Sequence, residues 1–189
     1  ELVWRVLISS RALKLNSFPL LGDFFLLVLT FFIAIVIVQY LKIIDSEKPM
    51  EIRADAYFRT SEYILDQHKH SKLRGVIEDS IFSEIQKYFD AGRLQRIQIE
   101  GHTDNVPPTR QLNQVRVWST NRELSLFRAN TVCSIIEEIA TERLSPDRLA
   151  EFKAKLFPGG YGEFLPKGPN DTEKNRAKNR RIEIRMVIK

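Results

Sequence analysis

Three short polar clusters contain the residues whose types and spacing could carry chemistry. They are GHTDN at 101–105, which directly follows a predicted strand, NRELSLFRA at 121–129, which opens a predicted helix, and NRR at 179–181, which opens the last predicted strand. Asn121 and Arg128 are seven residues apart, so on an α-helix they project within about 20° of each other. Together with Asp104 and Arg180 they could converge on a zwitterion, because a carboxylate binds an ammonium and an arginine binds a carboxylate bidentately. The alternative is that each residue is an ordinary helix cap or surface charge.

Other chemistry is poorly supported by the sequence. His68 and His70 alternate in a basic stretch, where histidines are expected to be solvated, and His102 is expected to pack or bond locally. The single cysteine, Cys133, excludes an internal disulfide and a multi-cysteine metal site. The pattern contains no Ser/His/Asp set, no paired catalytic carboxylates and no phosphate-binding loop. We therefore predict that the protein is not an enzyme and holds no metal and no cofactor.

One apolar segment sets the organisation of the chain. Residues 18–41 read FPLLGDFFLLVLTFFIAIVIVQYL, and roughly 20 apolar residues suffice to cross a membrane as a helix. The run is longer than a signal-peptide core, and no A-x-A-like cleavage site follows it. We predict a retained transmembrane helix over 18–44. Basic residues precede it, at Arg5, Arg11 and Lys14, so residues 1–17 are predicted to be cytoplasmic and the rest of the chain to lie outside.

Asp23 lies just inside the amino-terminal edge of this segment. A carboxyl group next to hydrocarbon is costly, which favours a functional acid that faces protein or water and carries a proton. The alternative is a helix-end aspartate at headgroup level, stabilised by the helix dipole. The segment alone leaves both interpretations open.

Composition limits the remaining chain to one folded domain. The protein has 189 residues and a formal net charge of +5, but acidic and basic residues are interleaved, so nucleic acid is not an expected partner. Residues 45–55 are predicted to form a short charged linker, and 56–189 suffice for one domain with a core. The chain begins at Glu1 rather than Met, so further residues are expected to precede it.

Within this domain the pattern alternates between strands and helices. The predicted elements are, in order, a short strand or extended segment over 56–64, a helix over 73–91 stopped by Gly92, a strand over 96–100, a polar loop over 101–118, a helix from Thr120, a short helix after Ser145, a strand within 152–161, a short helix around 172–178 and a strand over 181–188. Thr120 and Glu123 form a capping box. This succession predicts a small α/β (α+β) sandwich.

The three clusters also carry a family resemblance. The stretches IEGHTDN, NRELSLFRANTV and GYGEFLPKGPNDTEKNRAKNRRIEI resemble the peptidoglycan-binding OmpA/MotB domain over about residues 55–189. The resemblance implies a βαβαβ-type sandwich whose pocket holds the diaminopimelate part of the cell-wall peptide. It further implies that Asp104 meets the diaminopimelate amine, that Arg128 meets its carboxylate and that four other residues support or line the site. These are Asn121, Arg180, Thr103 and Leu124.

The same resemblance gives Asp23 a role. Gly22-Asp23-Phe24 is similar to the start of the single membrane helix in MotB-like stator subunits and in the ZorB subunits of the Zorya anti-phage system. In those motors the acid takes and releases the coupling ion, H⁺ or Na⁺, and a pentamer of MotA- or ZorA-like multi-span subunits surrounds a dimer of these helices. The implied location is the bacterial inner membrane, with the domain in the periplasm. The residues after Asp23, FFLLVLT, depart from the flagellar motif, so an antiviral-defence or other non-flagellar motor is at least as consistent as flagellar motility.

Two other functions remain open. The chain could be a passive tether between membrane and peptidoglycan, with Asp23 as a helix-end residue only. It could also be an interaction module whose domain binds another protein, which the short linker favours.

Overall fold

The computed structural model describes residues 19–46, 49–109, 111–112, 115–116 and 119–189. The chain divides into two compact units, residues 1–46 and 47–189. The predicted cytoplasmic segment, 1–17, lies outside the described residues.

The first unit contains one long helix, α1, at Pro19–Ser46. Proline suits the first helical position, where its missing N–H has no helical partner to lose. The described side chains of this helix are those of Gly22 and residues 24–39, so the Asp23 side chain lies outside what the structure describes. Counting only the described residues, no helix has the length and apolar character required to cross a membrane. The transmembrane role of 18–44 stays a prediction.

The second unit is built on a four-stranded sheet. Its strands are β1 at Met50–Arg53, β2 at Leu94–His102, β5 at Leu156–Gly162 and β6 at Arg181–Ile188. Their spatial order is β1-β6-β2-β5. Strand β6 is antiparallel to both neighbours, whereas β2 and β5 are parallel. Two-residue strands β3, Gln111–Leu112, and β4, Val115–Arg116, form a separate antiparallel pair.

Helices cover one face of this sheet. They are α2 at Gln67–Val76, which continues through a π-helical stretch at Ile77–Phe82 into α3 at Ser83–Asp90, then α4 at Asn121–Arg143 and α5 at Pro146–Lys153. A further short helix, α6 at Glu173–Asn179, ends one residue before β6. Helix α4 starts as predicted, because Thr120 and Glu123 form the reciprocal capping box. Gly92, at φ +65°, follows α3 where the predicted stop lies.

The core lies between this face of the sheet and the helices. Ile97, Ile99, Ile182 and Ile184 project from β2 and β6 and are fully buried, because alternate residues of a strand share one face. The ring of Phe152 lies 5.8 Å from that of Phe82 and 5.2 Å from that of Phe89. The core draws only on residues of the second unit.

Three predicted boundaries are wrong. The predicted linker, 45–55, contains β1 and a 3₁₀ turn at Ala54–Ala56, and residues 56–64 form no strand. Strand β1 has only four residues, too few for a period to stand out, and its pairing with β6 is a long-range contact. The first helix of the second unit begins at Gln67, not at residue 73, because Asp66 caps it by accepting a hydrogen bond of 2.8 Å from the Lys69 amide.

Two further predicted elements are shifted. The first two residues of the predicted polar loop 101–118 belong to β2, and the strands β3 and β4 lie within the rest of it. The predicted strand within 152–161 lies at Leu156–Gly162, since Phe152 belongs to α5 and is buried in the core.

Candidate functional site

A cavity of about 540 Å³ opens beside the carboxyl end of β2. All six residues that the sequence analysis singles out in this domain line it. They are Thr103, Asp104, Asn121, Leu124, Arg128 and Arg180. They come from the segment after β2, from the first two turns of α4 and from the residue that joins α6 to β6. The structure therefore brings all three polar clusters to one cavity.

Close packing of α4 against the sheet places its first two turns at the cavity. A Cβ at Gly101 would lie 2.0 Å from the Ser125 carbonyl oxygen, and one at Gly160 would lie 2.4 Å from the Arg122 carbonyl oxygen. Only glycine permits this approach. Ser125 fixes it further, because its hydroxyl oxygen accepts a hydrogen bond of 2.9 Å from the amide of Gly162.

Asp104 is the acidic residue of the cavity wall and is 7% exposed. Its Oδ1 accepts a hydrogen bond of 3.0 Å from the Val106 amide, and its Oδ2 accepts one of 2.6 Å from Nη1 of Arg180. The Asn121 side-chain amide donates to the Asp104 backbone carbonyl at 3.2 Å. Asp104 is thus held in one orientation by both neighbouring clusters.

Arg180 is held by several carboxylates. Besides Asp104, its guanidinium donates to Glu173 and lies 3.8 Å from Oδ2 of Asp55. Burial acts to lower the pKa of Arg180, but the hydrogen bonds to Asp104 and Glu173 outweigh it and raise that pKa above its ordinary value. Arg180 therefore keeps its charge at any physiological pH.

Arg128 lies at the base of the cavity and is 4% exposed. Its Nε donates to the Glu62 carbonyl at 2.8 Å, its Nη2 donates to the Arg59 carbonyl at 3.1 Å, and its guanidinium lies 5.4 Å from the Phe58 ring centre. Burial lowers its pKa to about 10, and Asp104 counteracts this in part. Arg128 is therefore a rigid cation that is charged at pH 7, with Nη1 making no hydrogen bond to the described residues.

Thr103 and Leu124 complete the predicted set. Thr103 is 3% exposed, its amide donates to the Gly162 carbonyl at 2.9 Å, and its Oγ1 has no partner among the described atoms. Leu124 is 4% exposed and supplies apolar surface. A buried hydroxyl without a partner is costly, so Thr103 offers a ligand a hydrogen bond.

The sequence analysis missed one wall of the cavity. This wall consists of Asp55, of Phe58 to Ser61 and of Lys69. Ser61 has a left-handed backbone conformation, φ 55°, and its Oγ accepts a hydrogen bond of 3.2 Å from the Thr109 amide. No local signal marks these residues, because the chain between β1 and α2 has no periodicity. Glu173, also missed, could have been found as an acid in the first turn of the predicted helix around 172–178.

A second polar cluster lies on the face of the sheet opposite the helices. Glu100, His102 and Glu183 place one potential metal-ligating atom each within 4.8 Å of one another. Both carboxylates already accept hydrogen bonds from arginines, Glu183 from Arg181 at 2.6 Å and Glu100 from Arg185 at 3.1 Å. These arginines balance the charges of the two acids.

His102 is the neutral member of that cluster. It is 2% exposed, stacks on Tyr161 at 5.4 Å between ring centres, and neither ring nitrogen has a partner among the described residues. Burial, reinforced by the charge of Arg181, lowers its pKa to about 4. The other two histidines lie elsewhere: His68 is exposed and Nε2 of His70 is 3.4 Å from Oε2 of Glu138.

Comparisons with known proteins agree on one family. The OmpA family profile matches residues 57–180. Motility protein B of Bacillus subtilis is 35% identical over 94 residues, which is 49% of this chain and 30% of that protein. The chain thus aligns with less than a third of the length of this relative.

Solved structures share the fold. The periplasmic domain of Helicobacter pylori MotB, residues 78–256, is 23% identical at a TM-score of 0.55, over 76% of this chain and 78% of that one. A putative MotB-like protein from Desulfovibrio vulgaris is 25% identical at a TM-score of 0.50, over 75% of each chain. The cell wall anchor of the T6SS from Pseudomonas aeruginosa is 21% identical at a TM-score of 0.53, over 74% of this chain and 80% of that one.

Proposed function

The chain is a MotB-like member of the OmpA family, and we propose that its second unit, residues 47–189, binds peptidoglycan through the cavity at the carboxyl end of β2. The observation that carries this is the convergence of Asp104 and Arg128 on one cavity. The ligand is the diaminopimelate part of the cell-wall peptide, whose free end is a zwitterion.

The geometry suits such a head group. An ammonium binds the Asp104 carboxylate, which Arg180 holds in place, while Asn121 fixes the Asp104 backbone carbonyl. A carboxylate binds Arg128, whose guanidinium is fixed by two backbone carbonyls before any ligand arrives. A preorganised charged donor loses little entropy on binding, which favours affinity.

Sedimentation with purified peptidoglycan tests this proposal. Wild type is expected to co-sediment, whereas Asp104→Ala and Arg128→Ala are expected to lose at least about tenfold in affinity, since each leaves a desolvated charged partner unpaired. Asp79→Ala and Arg96→Ala make the same changes at exposed positions outside the cavity and serve as matched controls. Equal sedimentation of all five proteins contradicts the assignment of the cavity.

We further propose that the whole chain is the B-type subunit of an ion-driven stator complex. In this proposal residues 18–44 span the inner membrane, the second unit lies in the periplasm and Asp23 is the coupling acid for H⁺ or Na⁺. Support comes from the similarity to Motility protein B and from the sequence over 24–38, which contains no charged residue and only one polar one, Thr30. The partner is a MotA- or ZorA-like multi-span subunit, as a pentamer around a dimer of this chain, and the motor serves antiviral defence or motility.

A passive tether is the second candidate. The similarity to a cell wall anchor favours it, since that protein is named for anchoring and not for a motor. Purification from native membranes separates the two candidates. A stator subunit brings down a multi-span partner in fixed stoichiometry, and a tether is recovered without one.

A further inference from the structure

Among the described residues, no carboxylate pairs with Lys69, a half-buried cation of the cavity wall. It lies in the first turn of α2, where its amide bonds to Asp66, and its half-buried side chain lines the same cavity as Asp104 and Arg128. Within the part of the chain that the structure describes, no carboxylate lies within 4.0 Å of its Nζ and no acceptor bonds to it. Arg180, in contrast, is bound by carboxylates.

The side chains that line the cavity carry one more positive charge than negative charges. Four cationic side chains line the cavity, and three anionic ones oppose them. The cations are Arg59, Lys69, Arg128 and Arg180, and the anions are Asp55, Asp104 and Glu173. A zwitterionic head group brings no net charge, so it leaves this excess of one positive charge in place. A ligand anion beside Lys69 neutralises this excess charge.

The size of the cavity allows a ligand larger than the zwitterion alone. Its volume of about 540 Å³ equals that of roughly 18 water molecules at about 30 Å³ each. The residue attached to the zwitterionic amino acid therefore has room on the Lys69 side. Arg59 lies on the same wall but is exposed, so water already solvates its charge.

We propose that Lys69 binds a second carboxylate of the ligand, carried by an acidic residue directly attached to the diamino acid. The cavity then selects a peptide with two carboxylates and one ammonium over its amidated form, in which the second carboxylate is a neutral carboxamide. This inference rests on the proposed peptidoglycan binding and names the form of peptide that is bound.

Calorimetry on the full chain in detergent micelles, with two synthetic dipeptides, tests the inference. Both probes carry glutamate before diaminopimelate, one with a free α-carboxylate and one with an α-carboxamide. Wild type is expected to bind the free acid about fivefold more tightly, the range of a partly exposed ion pair. Lys69→Gln, which keeps helix propensity, is expected to bind both probes equally and to bind the amide as wild type does.

Lys72→Gln serves as the matched control, because it removes the same charge from an exposed position of α2 outside the cavity. It is expected to keep the fivefold preference. Arg59→Gln removes the other cation of this wall and tests which of the two cations binds the carboxylate.

Each contrary outcome overturns the inference. If wild type binds both probes equally well, or if Lys69→Gln keeps the preference for the free acid, Lys69 does not bind the second carboxylate. If Arg59→Gln abolishes the preference instead, the carboxylate lies at Arg59. In these cases the peptidoglycan proposal survives, because the probes still bind. If wild type binds neither probe, both proposals fail together.

Discussion

Asp104 has a double role at the scale of single residues. Its Oδ2 accepts a hydrogen bond from Arg180 in the unliganded domain, so a ligand ammonium must share the carboxylate with a guanidinium. Glu173 and Asp55 keep that guanidinium neutralised from its other side. Asp104 can therefore accept a second cation without leaving Arg180 unpaired, and binding does not require the ion pair to break.

His102 gives the domain a measurable pH dependence. Burial lowers its pKa from 6.5 to about 4, so the native state keeps it neutral while the unfolded chain protonates it first. The stability due to this neutral histidine is present above pH 6.5 and is lost as the pH falls from 6.5 to 4. We expect the free energy of unfolding to fall over that window by at most about 3 kcal/mol from this group.

Urea denaturation of residues 47–189 at several pH values, for wild type and His102→Gln, measures this contribution. Glu100 and Glu183 face the histidine together with Arg181 and Arg185, and all four are present in both proteins. The difference between the two profiles therefore isolates His102. Parallel profiles between pH 6.5 and 4 would show that the histidine is not held neutral.

At the scale of elements, the position of α4 depends on the glycine of β2 that faces it. A Cβ at Gly101 would lie 2.0 Å from the Ser125 carbonyl oxygen, which belongs to backbone and cannot rotate away. Gly101→Ala must therefore displace α4, and overpacking of this kind costs about 3 kcal/mol. We expect that loss in the free energy of unfolding together with weaker peptidoglycan binding, because Asn121 and Arg128 move with the helix.

Gly75→Ala is the matched control for that substitution. Gly75 lies inside α2, and an added Cβ there meets nothing within 4 Å. Alanine exceeds glycine in helix propensity by about 1 kcal/mol, so this variant is expected to be slightly more stable and to bind normally. Denaturation measures the stability of both variants, and sedimentation with peptidoglycan measures their binding. A Gly101→Ala protein with wild-type stability would mean that α4 does not pack as closely as described.

Elements with a local signal were predictable from the sequence, and elements defined by distant contacts were not. The capping box at Thr120 and the alternation over 181–188 are local patterns, and both appear as predicted. Strand β1 forms because it pairs with β6, which lies far along the chain. Its four residues are too few to show the two-residue alternation of a strand.

The residues of the candidate site likewise fall into a group that the sequence predicts and a group that it does not. Asp104 and Arg128 belong to recognisable motifs, whereas Lys69 and the residues at 58–61 reach the cavity through a connection without periodicity. One wall of the cavity was therefore foreseen and the other was not. Three-dimensional packing alone assigns Lys69 to the site.

At the scale of the whole molecule, helix α1 ends at Ser46 and strand β1 begins at Met50, so three residues lie between them in the chain. Since the core of the second unit uses only its own residues, peptidoglycan binding and ion coupling are expected to be separable by mutation.

Asp23→Asn tests that separation from the side of the first unit. The change removes a titratable proton while keeping size and polarity, so assembly with the multi-span partner and peptidoglycan sedimentation are expected to stay at wild-type levels. Ion flux through the complex in proteoliposomes is expected to fall to background, since an amide cannot take and release a proton. Asp45→Asn, at the other end of the predicted span, is the matched control and is expected to conduct normally. Undiminished flux in Asp23→Asn would remove the coupling role and leave the passive tether as the better description of the chain.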